Sequence, residues 1–364
     1  MRLSVVVCSY NMERELPRTI LSLSPWLQRV APSEYEILVV QNGGRRVNSE
    51  LLVSIAPNIR DVQPSKLYTS PCFAINEAVL KHARAEFVLI VIDGARIHTP
   101  GVIRSCLDSA NTVGLSGIAY APAYHLGWIK QSISQVEGYN QRLEDAALRD
   151  VNWTRDGYQL SRISSPAASF RGLFSLPAEA NSLLVSKQLY GEVGGFDEGF
   201  STPGGGLCNL DLFGRLCDAS STILCFFREG SFHQIHGGAS TNAIDKTNQN
   251  KLEQQDLINL GKSIDVNVYT LKNHEKLKFY GIANDTFKQN FDRHANTREK
   301  KAYYNSLALK HGFTSLHIGR SGFLRPLMVL SNARALSSLR SLVARLFKIC
   351  GADNLRTKLV DKGW

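Results

Sequence analysis

FVLIVIDGAR, residues 87–96, is the stretch on which the fold turns. Six consecutive apolar residues, Phe87–Ile92, are too few for a typical helix. They are rich enough in β-branched side chains for a strand buried on both faces. The run stops at Asp93-Gly94-Ala95-Arg96, where a carboxylate, a glycine and a guanidinium mark a turn. Two earlier segments repeat the pattern. Leu3–Cys8 is a valine-rich strand that ends in Ser9-Tyr10-Asn11, and Glu36–Val40 is a strand that ends in Gln41-Asn42-Gly43-Gly44. Between them, apolar residues at helical spacing occur at Leu16, Ile20, Leu21 and Leu23, at Ala74–Ala83 and at Val102–Ala110. Gly117–Ala121, Asn181–Val185 and Thr222–Phe227 read as further strands, and Leu210–Ala219 as a helix.

Buried strands alternating with helices predict an α/β fold, with a mostly parallel central sheet and helices on both faces. In such sheets ligands bind beyond the carboxyl ends of the strands. Ser9–Asn11, Gln41–Gly44 and Asp93–Arg96 are therefore expected along one edge.

Composition narrows the function. The chain has 364 residues and a net charge of +10. From Arg293 to the C-terminus it carries 14 Lys or Arg against Glu299, Asp353 and Asp361, a local balance of +11 that leaves the rest at −1. The basic character belongs to the tail, which argues against a nucleic-acid surface over the body. Within Arg325–Cys350, Leu336, Leu339, Val343 and Leu346 share one helical face, and Arg334, Ser341, Arg345 and Lys348 the other. Such a helix either lies on an anionic membrane or packs on the body with a solvated basic face. Seven cysteines without CxxC spacing indicate neither a zinc site nor a disulfide framework, and reduced thiols in the cytoplasm are the expectation. No apolar run reaches bilayer-spanning length, and the N-terminus reads as a buried strand, not a signal peptide.

The sequence contains no GxxxxGK[ST], no GxGxxG after the first strand and no GxSxG elbow. The chemistry left lies in the strand-end turns, in GGFDEGFSTPGGGLCNLDLFGR (residues 194–215) and in the histidine pair of FHQIHGG (residues 232–238). Glycine at that density implies sharp turns or close backbone approach. Taken in order, VVVCSYN (5–11), VVQNG (39–43), IDGA (92–95), GGFD (194–197) and LDLFGR (210–215) resemble the family 2 glycosyltransferases of the GT-A fold, over residues 1 to about 240.

That resemblance implies a GT-A domain over residues 1–245, followed by a basic, mainly helical C-terminal extension over 246–364. It implies an inverting enzyme that moves a sugar from a nucleotide-diphosphate donor to a hydroxyl of a glycan or lipid-linked acceptor. Bacterial-type cell-surface glycan or glycoconjugate synthesis is the expected setting, in the cytoplasm or peripherally at the inner face of the membrane. Donor-binding residues by the same resemblance are Ser9, Tyr10, Asn11, Gln41, Asn42, Asp93 and Arg96. Gln41 stands where the family has an acid, and Ala95 where it has the second aspartate of a DxD motif. Asp93 with His236 would hold Mn²⁺ or Mg²⁺, His236 being preferred over His233, while Arg96 offers a direct phosphate contact instead. The acidic motif keeps only its end. Cys208 and Asn209 replace the acidic pair, so Asp211 is the expected catalytic base, or else a partner of Arg215. Glu179, Gly205, Gly206 and Asn209 are placed on the acceptor side. The three departures at Gln41, Ala95 and Asn209 keep a second reading open, a catalytically silent nucleotide-sugar-binding or scaffold protein. A nucleotidyltransferase is the third, disfavoured by the lack of a Gly- and Lys-rich first loop.

Overall fold

The computed structural model describes residues 1–172, 174–237, 246–281 and 297–312. The basic helix expected at Arg325–Cys350 lies outside them. The main sheet has eight strands in the order β12-β10-β6-β9-β4-β1-β2-β3. They are β1 Leu3–Ser9, β2 Tyr35–Gln41, β3 Ile59–Val62, β4 Phe87–Val91, β6 Ile118–Tyr120, β9 Ser182–Ser186, β10 Ile223–Phe226 and β12 Leu277–Tyr280. All neighbours run parallel except β9, which is antiparallel to both β4 and β6.

The central strands are buried on both faces because their side chains alternate between two apolar cores. Val6, Leu38, Val88 and Ile90 point to one core, with the helices at Cys72–Glu77 and Cys208–Ala219. Val5, Val7, Val39, Leu89 and Val91 point to the other, with the helices at Leu16–Leu23 and Val102–Val113. The expected α/β architecture with covered faces is the one observed. The helix expected at Ala74–Ala83 begins as Cys72–Glu77 and widens into a π-helical turn over Ala78–His82.

The sequence pattern did not reveal a second, four-stranded sheet, ordered β5-β11-β7-β8. Its strands are β5 Arg96–His98, β7 Ala123–Leu126, β8 Ser164–Pro166 and β11 Ser231–His233. Each is three or four residues long, too short to show a period. The described residues at 246–281 join the body directly. β12 pairs with β10, and helix Lys246–Leu260 carries Asp256, which accepts hydrogen bonds from the glycine-rich segment.

Candidate active site

The small sheet forms the site. Arg96 on β5 pairs in register with His233 on β11, and His233 pairs with His125 on β7. Registered partners share one face of a sheet, so these three side chains form a row. Asp93 sits two residues beyond β4, where the chain passes from the large sheet to the small one. Its Oδ1 accepts from the Ala95 amide at 3.0 Å, and its Oδ2 accepts from Arg96 Nε at 2.8 Å. Gly94 packs closely here: a Cβ would lie 3.1 Å from Leu16 and Ser9, so any side chain would press on its neighbours. Arg96 is buried, and its Nη1 has no hydrogen-bond partner among the described residues. A buried guanidinium with a free donor beside a carboxylate is prepared for an anion.

Asp93, His233 and His236 bring one ligand atom each within 4.8 Å of one another. Gln131 fixes the orientation of His233. Its Nε2 donates to the carbonyls of His233 at 2.8 Å and Leu126 at 3.3 Å, which turns its Oε1 toward His233 Nδ1 at 2.7 Å. His233 Nδ1 must then carry the proton, leaving a lone pair on Nε2. That atom faces His236 Nε2 at 3.1 Å and Asp93 Oδ2 at 4.0 Å. The spacing is met by a proton on His236 or by a cation shared between both rings. Desolvation, the largest cause for each, pushes the pKa of His233 well below the ordinary value and lowers that of His236. Two neutral imidazoles and a carboxylate, with an amide holding one ring from behind, form a donor set suited to a divalent ion.

The turn between the histidines is held from three sides. Glu144 Oε2 accepts from the Ile235 amide at 2.8 Å, Arg14 Nη1 donates to the Ile235 carbonyl at 3.1 Å, and Gln234 Nε2 donates to the Glu15 carbonyl at 3.2 Å. Arg14 closes the group by pairing with Glu144 at 3.0 Å.

The donor-side residues are partly assembled. The Asn42 amide donates to the Ser9 carbonyl at 2.8 Å, which ties the first two strand-end turns together. Asn42 Nδ2 donates to the Tyr68 and Ser70 carbonyls, and its buried Oδ1 has no partner among the described residues. Asn11 has φ +53° and accepts from the Arg45 amide, while Tyr10 is exposed beside Gly43. Gln41 turns its side chain to its own neighbours. Its side chain accepts from the Val47 amide and donates to the Val47 carbonyl and Asp61, so the amide is engaged inside the protein.

On the acceptor side, Asp211 and the two glycines have partners of their own. Asp211 is not presented as a free carboxylate. Its Oδ2 accepts from Arg215 at 2.5 and 2.9 Å and its Oδ1 from Lys262 at 2.9 Å, which leaves both oxygens committed to cations. Gly205 and Gly206, with φ +84° and +51°, are explained by turning and packing. A Cβ on Gly205 would meet Cys208 Sγ at 2.6 Å, and one on Gly206 would meet Glu253 at 3.1 Å. Glu179 and Asn209 are brought together, Asn209 Nδ2 donating to Glu179 Oε2 at 3.0 Å. Glu179 lies within electrostatic reach of Asp93 and Arg96.

Sequence reasoning passed over His125 and Gln131 and ranked His233 second. Only the pairing of three short strands sets these residues beside Asp93 and Arg96. His125 Nδ1 accepts from the Gln131 amide at 3.0 Å, so its proton resides on Nε2.

No protein-family model and no curated protein matches the chain. Solved structures do share features of the fold. Residues 1–349 of Staphylococcus aureus TarS in complex with UDP-GlcNAc are 13% identical with a TM-score of 0.46, over 74% of this chain and 69% of that one. The mannosyltransferase PcManGT from Pyrobaculum calidifontis, in complex with GDP-Man and Mn²⁺, is 13% identical with a TM-score of 0.43, over 98% of this chain and 82% of that one. This chain is similar in structure to both.

Proposed function

We propose that this protein is an inverting glycosyltransferase that moves a sugar from a nucleotide-diphosphate donor to an acceptor hydroxyl. The observation that carries the reading is the grouping of Asp93, His233 and His236 within 4.8 Å beyond a central strand, with the unpartnered Arg96 Nη1 in the same charged cluster. The ordered motifs of residues 5–215 point the same way. Asp93, His233 and His236 would hold a divalent cation, Mn²⁺ or Mg²⁺. When bound, such an ion neutralises charge on the leaving diphosphate.

The chain's own residues supply the rest. Ser9, Tyr10, Asn11 and Asn42 line the turns where the nucleoside is expected. Arg96 offers its free N–H to a phosphate oxygen, and the Glu179–Asn209 pair faces the acceptor. Gln131, Glu144 and Arg14 fix the histidine turn, so the site needs little rearrangement before binding. The six described cysteines are free and buried. No helix among the described residues is long and apolar enough to cross a membrane. The basic tail is proposed to meet anionic lipid, where a lipid-linked acceptor of a cell-surface glycan pathway would lie. Nucleotide diphosphate released from UDP-, GDP- or dTDP-sugars, measured with and without Mn²⁺, tests the function.

A further inference from the structure

Inverting transfer needs a carboxylate beside the acceptor hydroxyl, and this chain has lost the usual one. By resemblance that position is Asn209, whose amide cannot take a proton. The nearest surviving acid of the motif, Asp211, has both oxygens paired with Arg215 and Lys262. Proton uptake there would leave two cations facing a neutral acid, and Arg215 is further tied to the Val193 and Gly195 carbonyls.

Glu179 meets the requirement from another element. It lies three residues before β9, whereas Asn209 lies in the first turn of helix Cys208–Ala219. Asn209 Nδ2 donates to Glu179 Oε2, while Oε1 accepts no hydrogen bond among the described residues, and the residue is half-buried. The charged groups around it are Asp93, Arg96 and Glu253.

We propose that Glu179, oriented by Asn209, is the catalytic base, its carboxylate having taken over from the position that Asn209 now fills. This assignment rests on the glycosyltransferase reading. In the step, the acceptor oxygen forms a bond to the anomeric carbon and its proton passes to Glu179 Oε1. The bond from that carbon to the diphosphate oxygen breaks, and its electron pair leaves with the diphosphate. Desolvation raises the Glu179 carboxyl above its ordinary range, with Asn209 and Arg96 opposing it, which makes the carboxylate a stronger base. The Asn209 hydrogen bond holds one oxygen and leaves the other for the substrate.

The test uses the full-length protein with Mn²⁺ and the UDP- and GDP-sugar panel. It compares wild type, E179Q, E179Q/N209D and D211N for release of UDP or GDP and for thermal stabilisation by the free nucleotide. Glutamine keeps an acceptor for Asn209, so E179Q is expected to fold and to bind nucleotide as wild type does. Its turnover should fall by roughly 100-fold or more, the share expected of a positioned base. Returning the carboxylate to position 209 in E179Q/N209D should restore at least about tenfold of that loss. D211N is expected to melt lower yet turn over far faster than E179Q. E179Q turnover within about threefold of wild type would overturn the assignment. So would a D211N that melts like wild type and turns over as slowly as E179Q. A wild-type protein that neither binds nor cleaves any donor would remove the transferase reading itself, and the base with it.

Discussion

Replacing Asp256 with alanine should loosen the glycine-rich segment that leads into the site. Asp256 is buried on helix Lys246–Leu260. Its Oδ1 accepts from Ser201 Oγ at 3.0 Å, and its Oδ2 accepts from the Thr202 amide at 3.0 Å and Thr202 Oγ1 at 2.6 Å. Hydrogen bonds to an ionised acceptor contribute about 1.5–3 kcal/mol each. Water can replace the bond to Ser201, which is exposed, but not those to Thr202, which is buried. The two Thr202 bonds therefore set the cost of D256A at roughly 3–6 kcal/mol. At about 2 °C per kcal/mol for a domain of this size, the melting temperature should fall by roughly 6–12 °C. D256N keeps a neutral acceptor and should lose about half as much. Urea unfolding measures the global cost. Hydrogen exchange at the Thr202 amide reads the local one, and its protection should collapse in D256A even if the rest of the chain stays folded. If D256A unfolds within about 1 kcal/mol of wild type and Thr202 stays protected, the account of the loop is wrong.

Two further outcomes follow from buried groups. His98 is buried, bonded to Ser182 Oγ at 2.8 Å, and desolvation lowers its pKa from 6.5 to about 3. Between those values the unfolded chain binds a proton that the folded chain refuses, so stability falls as pH drops, at about 1.4 kcal/mol per unit. H98Q lacks this proton, and the stability advantage of wild type over H98Q should shrink by about 2 kcal/mol from pH 6.5 to pH 5; a growing advantage contradicts the buried neutral imidazole. G205A should cost roughly 1–3 kcal/mol, because φ is +84° and Cys208 Sγ stands in the way. G191A, in open space on helix Lys187–Glu192, should be neutral or slightly stabilising, and equal melting of the two variants would refute the steric argument.

The strands with long apolar runs could be read from sequence, as could the turn residues at their carboxyl ends. Leu3–Cys8, Glu36–Val40 and Phe87–Ile92 each appear as a buried strand within a residue of the observed limits. The small sheet could not, because Arg96–His98 and Ser231–His233 are three residues long and owe their form to each other. The site divides along the same line. Asp93 and His236 stand out beside local signals, a strand end and a glycine pair. His125 and Gln131 carry no signal, since a single histidine or glutamine acquires meaning only when strand pairing sets it beside His233. At Asp211 the sequence suggested either a partner of Arg215, which is the contact observed, or a base. Lys262, 51 residues away in sequence, occupies the oxygen that this role needs.

Whether this protein transfers sugar is decided by release of nucleoside diphosphate from the UDP-, GDP- and dTDP-sugar panel, followed with and without Mn²⁺ in wild type, D93A and H233A/H236A. A transferase of this kind should turn over at least one donor, with stimulation by Mn²⁺ and a sharp drop in both variants. Wild-type protein stabilised by nucleotide yet unable to release diphosphate from any donor would contradict it and favour a silent nucleotide-sugar-binding protein.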